Sequence, residues 1–232
     1  MTMHYDPHSK PADVGSRFGR TLLQDTKTSL FHPYRSVFKR VFDIILVVLT
    51  APIVVVTVGI LALFIALDGS NPFYFQDRVG RGGRNFRMWK LRSMVPGAEE
   101  KLETHLEADP EARAEWDSAQ KLKSDPRITR FGRVLRKSSL DELPQLLNVL
   151  VGDMSLVGPR PMMPNQRGLY PGTAYYRLRP GITGPWQVSE RNESSFADRA
   201  YFDHEYDRNL SLGTDIRLLA STVRVVLKAT GY

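Results

Sequence analysis

An uncharged apolar stretch from Ile44 to Leu67 constrains the fold of this chain more than any other feature. It meets the length of about 20 residues that a membrane helix requires. Buried core helices rarely lack a polar face over so long a run. The stretch also begins too far into the chain, and is too long, for the apolar core of a cleaved signal peptide. It therefore predicts a membrane helix.

Pro52 and the flanking charges bear on the course of this helix. A proline removes one backbone hydrogen bond, yet a kinked helix can still span. Basic residues lie on both sides of the stretch: Arg35, Lys39 and Arg40 before it, and Arg78, Arg81, Arg84, Arg87, Lys90 and Arg92 after it. A straight span would place one of these flanks outside the cytoplasm, against the positive-inside tendency. The charges favour a helix that breaks at Pro52 and returns to the cytoplasmic face, and a spanning helix is the alternative.

The rest of the chain predicts an α/β fold, mostly helical with a small β-hairpin. Residues 1–33 are polar and are expected to form a flexible tail, residues 34–67 the membrane helix, and residues 68–232 a cytoplasmic domain. Phe73 to Val79 and Asn85 to Leu91 have strand composition, with glycines between them, and predict the hairpin. Residues 97–123 predict one or two exposed helices interrupted near Pro110. Residues 212–229 predict an amphipathic helix that packs on the domain or lies in the membrane interface.

The formal charge of +7 and the pI of about 9.7 predict a polyanionic partner: nucleic acid, anionic lipid or a phosphate substrate. The membrane segment and the lack of a recognition motif argue against nucleic acid. The chain has no cysteine, which excludes disulfides and thiolate metal sites.

Two adjacent acids, Asp141 and Glu142, begin the segment "DELPQLLNVLVGDMSLVGPRP". By itself this is a helix start, capped by Ser138 or Ser139, with acids in the first turn. Cations near the pair indicate more: Arg133, Arg136, Lys137 and Arg160 lie close in the sequence, and Lys90 and Arg92 could join from the hairpin. Cations around a carboxylate pair suit phosphate chemistry, in which one carboxylate attacks phosphorus and the other holds Mg²⁺ or tunes the pKa of its partner. The apolar residues that follow predict an amphipathic helix, either in the core or at the membrane boundary.

A third segment, "RPGITGPWQVSERN", combines two turn signals with Arg179, Trp186 and Gln187. Such a loop is suited to binding a planar base and a diphosphate. By spacing alone, a structural turn around a packed tryptophan is the first interpretation of this segment.

Several long motifs in order resemble the bacterial sugar transferases, the monotopic phosphoglycosyl transferases that act on polyprenyl phosphate. They are "KRVFDIILVVLTAPIVV", "FQDRVGRGGRNFRMWKLRSM", "SDPRITRFGRVLRKSSLDELPQLLNVLVGDMSLVGPRP" and "RPGITGPWQVSERN". The resemblance implies that Asp141 attacks the β-phosphate of a UDP-sugar, releases UMP and carries the phosphosugar covalently to undecaprenyl phosphate. It is greatest to the exopolysaccharide-initiating branch, which transfers galactose-1-phosphate or glucose-1-phosphate.

The resemblance also implies roles for single residues and partners. Glu142 would help to place Mg²⁺, Arg160 would be an anion clamp, and the helix would be re-entrant at Pro52. The predicted substrate-binding residues are Lys90, Arg92, Arg136, Arg160, Arg179 and Gln187. The implied location is the cytoplasmic face of the bacterial inner membrane, whereas the oligomeric state is left open. The chain departs from the family pattern at Glu190, where glycine is common, and at Ala51, where serine often precedes the proline.

Two other functions fit the same residues. A direct glycosyltransferase would use the carboxylate as a general base and release UDP instead of UMP. A membrane-anchored basic adaptor of a polysaccharide assembly complex would need no catalytic acid.

Overall fold

The structure is a computed structural model, and it describes residues 33–119, 122–189 and 196–227. The predicted tail lies outside these ranges, apart from Pro33. Glu190 also lies outside them.

The described residues are mostly helical, with two small two-stranded sheets. A π-helical turn, Tyr34–Phe38, leads into α1. The helices are α1 (Lys39–Ala66), α2 (Ala98–Ala108), α3 (Pro110–Ala119), α4 (Arg130–Ser138), α5 (Gln145–Val151), α6 (Ala174–Arg177), α7 (Pro185–Ser189), α8 (Arg199–Arg208) and α9 (Leu212–Leu227). The strands are β1 (Phe73–Val79), β2 (Asn85–Leu91), β3 (Ser155–Val157) and β4 (Gly181–Thr183). Short 3-10 turns cover Arg81–Gly83, Leu140–Glu142 and Pro164–Leu169.

Helix α1 is the predicted membrane helix, and it runs without interruption through Pro52. In the described residues it is long and apolar enough to cross a membrane, and most of its side chains face away from the protein. The Thr50 hydroxyl donates to the carbonyls of Leu46 and Val47. Such back-bonding, like an internal proline, tends to bend a helix.

The first turns of α1 are held to the rest of the protein by buried polar contacts. Asp215 of α9 accepts hydrogen bonds from Lys39, Tyr34 and Tyr206, each at 2.6 Å. One turn further along, Asp43 accepts from the Ser155 hydroxyl at 2.7 Å. Lys39, one of the basic residues before the apolar stretch, therefore also holds α1 to the domain.

The far end of α1 also contacts the domain. Arg92, which follows β2, donates to the Ile65 carbonyl at 3.2 Å and to the Asp68 carboxylate at 2.6 Å. Ile65 is buried against Leu91 and Leu135. Both ends of α1 thus contact the same domain.

The predicted hairpin is confirmed with its bounds, because β1 and β2 pair antiparallel with Phe73 opposite Leu91 and Val79 opposite Asn85. Gly82 and Gly83 have φ of 70° and 80°, a conformation that favours glycine in a tight turn. The exposed helices predicted around Pro110 are α2 and α3, and the predicted C-terminal amphipathic helix is α9.

The core joins the hairpin to α5 and β3. Its buried apolar members include Phe86, Met88, Val149, Leu156 and Val157.

One buried amide fixes β2 against α5. Asn148 accepts from the Trp89 nitrogen at 3.0 Å and donates to the Arg87 carbonyl at 2.8 Å. Because Trp89 precedes Lys90, this bridge holds Lys90 beside the turn that comes before α5.

The parallel pair β3–β4 sets the position of Arg160. The chain leaving β3 crosses the start of β4 so closely that a Cβ at Gly181 would lie 2.1 Å from the Gly158 nitrogen. Only glycine fits at such an approach. The Pro159-Arg160-Pro161 segment therefore begins at a fixed point in the fold.

Candidate functional site

The two acids lie in a turn between helices. Helix α4 ends at Ser138, Ser139 takes a left-handed conformation with φ of 55°, and Leu140–Glu142 form a 3-10 turn. The prediction that Ser138 or Ser139 caps the start of a helix is wrong. Neither the 3-10 turn nor α5 has a side-chain cap at its start, and Ser139 is instead the C-cap of α4. The reversal turns the Asp141 side chain inward, and the residue is 6% exposed.

Lys90 bridges the two carboxylates. Its Nζ lies 2.8 Å from Glu142 Oε1 and 3.5 Å from Asp141 Oδ2. The Glu142 side chain is more open to solvent than that of Asp141. One ammonium thus balances two acids, of which one is buried and the other accessible.

Competing effects set the protonation of Asp141. Burial raises the pKa of its carboxyl group above the usual range, Lys90 and Arg136 lower it, and Glu142 raises it. Arg136 is held in place by a 2.9 Å hydrogen bond from its Nε to the Ser93 hydroxyl. The net direction is upward, so ionisation of Asp141 depends on its cationic neighbours.

A second group of cations surrounds Arg160. The Arg160 guanidinium lies 5.8 Å from the Trp186 ring centroid, and the Arg199 guanidinium lies 4.2 Å from it. Arg78 donates to the Pro161 carbonyl at 3.0 Å. Burial, followed by the nearby Arg160, lowers the pKa of both Arg78 and Arg199 to about 10. Crowded, partly buried cations of this kind form a site for an anion.

Two cavities meet at Glu142 and Arg160. The larger has a volume of about 320 Å³ and a mostly apolar lining; it includes Leu143, Leu146, Ile182, Val188 and Val225. The smaller has a mixed lining, in which the cations Arg78, Lys90 and Arg160 lie beside Gln145 and Gln187. A cation-lined cavity therefore adjoins an apolar cleft at Glu142.

The predicted site residues divide into two groups. Glu142, Lys90, Arg160 and Gln187 line the cavities. Asp141 joins them through its ion pair with Lys90, and Arg136 through its electrostatic interaction with both acids. Arg92 binds the end of α1, and Arg179 donates from Nε to the Gly152 carbonyl at 3.0 Å. Neither lines the two cavities, so their roles as substrate ligands stay predictions.

Sequence reasoning missed Arg78 and Arg199 as site residues. Arg78 is one of several arginines in the hairpin, and no sequence signal separates it from its neighbours. Arg199 lies beyond the third predicted segment. Only the pairing register and the packing of α8 on α7 bring them to Arg160 and Trp186.

The acids suit Mg²⁺ only in part. The described residues contain no cluster of three or more metal-binding side chains. Mg²⁺ is usually held by one or two carboxylates together with substrate phosphates. The accessible Glu142 carboxylate beside Asp141 fits that pattern, with a diphosphate supplying the remaining oxygens.

We expect Lys90→Met to move the pH dependence of the reaction at Asp141. Removing this cation takes away the largest effect that lowers the pKa of Asp141. The acidic limb of the pH–rate profile should then shift to higher pH, since a protonated carboxyl group is not a nucleophile. Lys101→Met, at an exposed position on α2, is the control. If the acidic limb of Lys90→Met stays at the wild-type pH, the prediction that Asp141 is the nucleophile controlled by Lys90 is contradicted.

Comparisons with known proteins fit this site. The family described as "Bacterial sugar transferase" matches residues 34–229. A UDP-galactose-lipid carrier transferase from Erwinia amylovora is 49% identical over 195 residues, covering 83% of this chain and 41% of the relative. An undecaprenyl-phosphate galactose phosphotransferase from Salmonella typhimurium is 47% identical over 199 residues, with 83% and 41% coverage.

A third relative matches along most of its own length. The exopolysaccharide production protein ExoY from Rhizobium meliloti is 41% identical over 211 residues, covering 88% of this chain and 92% of the relative. The chain thus spans about two fifths of the first two relatives and nearly all of the third. With the family match covering both cavities and the acid pair, the chain belongs to the bacterial sugar transferase family.

Proposed function

We propose that this protein transfers a sugar-1-phosphate, galactose or glucose, from a UDP-sugar to undecaprenyl phosphate. The reaction releases UMP and would be the first membrane step of exopolysaccharide synthesis. The observation that carries the proposal is the buried Asp141 carboxylate, held by Lys90 beside a cationic cavity and an apolar cleft. The printed activities of the Erwinia and Salmonella relatives support the donor and acceptor.

In the first half-reaction, an Asp141 oxygen forms a bond to the phosphorus that carries the sugar. The bond from that phosphorus to the bridging oxygen breaks, and the electron pair leaves with UMP. Lys90 and Arg160 offset the repulsion between the carboxylate and the anionic donor. When bound, Mg²⁺ would neutralise charge on the diphosphate, with Glu142 as its protein ligand.

The donor needs hydroxyl contacts as well as charge. Gln187 is 8% exposed, and its Oε1 has no hydrogen-bond partner in the described part of the chain. This oxygen is an acceptor at the cavity wall and suits a hydroxyl of the sugar or the ribose. The buried Trp186 positions the Arg160 and Arg199 guanidiniums, which lie near its ring.

In the second half-reaction, a phosphate oxygen of the lipid acceptor attacks the same phosphorus. The bond to Asp141 breaks, which restores the carboxylate and leaves the lipid diphosphosugar. The apolar cleft between the acid turn, α5 and α9 fits the isoprenoid chain next to the acceptor phosphate. Exposed apolar residues on α5 and α9, such as Val151 and Val223, suit the membrane interface.

We also propose that α1 is re-entrant at Pro52, on the cytoplasmic face of the inner membrane. A straight span would separate the helix ends by the bilayer core of about 30 Å. Contacts of the same domain with Lys39 and Asp43 at one end, and with Ile65 at the other, support a helix whose ends share one face.

Single cysteines test the course of the helix, since the chain has none of its own. Ser16→Cys in the tail and Glu107→Cys on α2 should both react only with a label on the cytoplasmic side. Reaction of the two cysteines from opposite sides would establish a spanning helix.

The transfer is tested by measuring nucleotide release from a panel of UDP-sugars with undecaprenyl phosphate present. We expect UMP, and we expect one hexose to be preferred. Release of UDP would favour direct glycosyl transfer, and no release from any donor would favour the adaptor.

A further inference from the structure

Gln145 begins α5 and lies four residues after Asp141. It is 2% exposed and lines the smaller, cation-lined cavity with Arg78, Lys90 and Arg160. Its Nε2 has no hydrogen-bond acceptor among the residues that the structure describes. A buried N–H group without a partner destabilises a fold, because it has lost its hydrogen bonds to water.

A second buried amide on the same helix behaves differently. Asn148 is 1% exposed, and both ends of its amide are bonded to the backbone of β2. At Asn148, where the buried amide has a structural role, the fold therefore supplies hydrogen-bond partners for both its oxygen and its nitrogen. The unpaired nitrogen of Gln145 calls for an acceptor from outside the protein.

The surroundings identify the chemistry of that acceptor. Three cations line the same cavity as Gln145, so an anionic acceptor is favoured there. The carboxylate that is to attack phosphorus lies one turn earlier in the chain. A phosphoryl oxygen meets both requirements: it is negatively charged, and it accepts a hydrogen bond from a neutral amide.

We propose that Gln145 is a further catalytic residue, whose Nε2 donates to a non-bridging oxygen of the phosphoryl group during its transfer to and from Asp141. This inference rests on the proposed function. Negative charge is redistributed over the non-bridging oxygens as the Asp141–phosphorus bond forms and the bond to UMP breaks. A neutral donor stabilises these oxygens without forming an ion pair with the nucleophile. No proton is transferred in the step.

Gln145→Met tests the role, since methionine keeps the approximate length and volume of the side chain and removes the donor. We expect kcat for UMP release to fall by about 10²–10³-fold, as for other lost transition-state donors. The KM for the UDP-sugar should change little, and the melting temperature should stay level or rise. Gln145→Glu, which keeps the shape and adds a negative charge, should be at least as impaired.

Gln166→Met is the matched control. Gln166 is a buried glutamine away from the two cavities, and its Oε1 accepts from the Met163 nitrogen at 2.9 Å. This variant should lower the melting temperature and keep kcat.

Two results would overturn the role of Gln145. One is a kcat for Gln145→Met within about threefold of wild type, because the loss of a transition-state hydrogen-bond donor should lower kcat much further. The other is a fall in its melting temperature that matches the fall in Gln166→Met. If Gln145→Met stays active while Asp141→Asn does not, this inference alone fails. A wild-type protein that releases no UMP overturns both this inference and the proposed function.

Discussion

Asp141→Asn is expected to abolish UMP release, with a loss of about 10³-fold or more, as for other removed nucleophiles. Asparagine has nearly the same shape but no anionic oxygen that can bond to phosphorus. Lys90 keeps its 2.8 Å contact with Glu142, so the substitution leaves no unpaired buried cation. The variant should fold and stay in the membrane fraction.

The control for this variant is Asp117→Asn on the exposed face of α3, which should keep full activity. Activity of Asp141→Asn near the wild-type level would show that another group performs the chemistry, or that the protein acts as an adaptor.

Among the substitutions proposed for this protein, Asp215→Ala is expected to cause the largest loss of stability. The Asp215 side chain is fully buried and accepts from Lys39, Tyr34 and Tyr206. Its removal takes the buried acceptor away from the Lys39 ammonium and the Tyr34 hydroxyl, whereas Tyr206 keeps the Val157 carbonyl at 3.2 Å. Breaking a buried ion pair from one side costs about 3–5 kcal/mol, which in a chain of this size lowers the melting temperature by about 6–20 °C.

Two comparisons sharpen this prediction. Glu103→Ala breaks an exposed pair with Arg113, at 3.6 Å, and should lower the melting temperature by no more than about 4 °C. Lys39→Met combined with Asp215→Leu removes both charges and should recover part of the loss. An Asp215→Ala protein that melts within about 2 °C of wild type would contradict the buried network.

The parts of the fold that the sequence predicted are those encoded locally. Strand composition on either side of three glycines was sufficient for the hairpin, and the apolar run was sufficient to predict the long apolar helix α1. The acid pair was found because cations lie close to it in the sequence. The cap at Ser138 or Ser139 was predicted wrongly, because the left-handed Ser139 joins α4 to the Leu140–Glu142 turn, which packs against the distant strand β2.

The parts that sequence reasoning missed depend on distant contacts. Asp215 meets Lys39 across 176 positions of the chain. Nothing local separates a cation that meets phosphate, such as the proposed Arg160, from one that binds the protein's own oxygens, as Arg92 does. Arg78 differs from the other hairpin arginines through distant contacts, namely its hydrogen bond to Pro161 and its place beside Arg160 in the cavity lining.

The most direct test of the account is the mass of the intact protein during turnover. Wild-type protein mixed with the preferred UDP-sugar, without lipid acceptor, should gain the mass of one hexose phosphate. Peptide mapping should place that mass on Asp141, and undecaprenyl phosphate should remove it. If product accumulates while no such mass appears on Asp141, transfer through a covalent aspartyl intermediate is wrong.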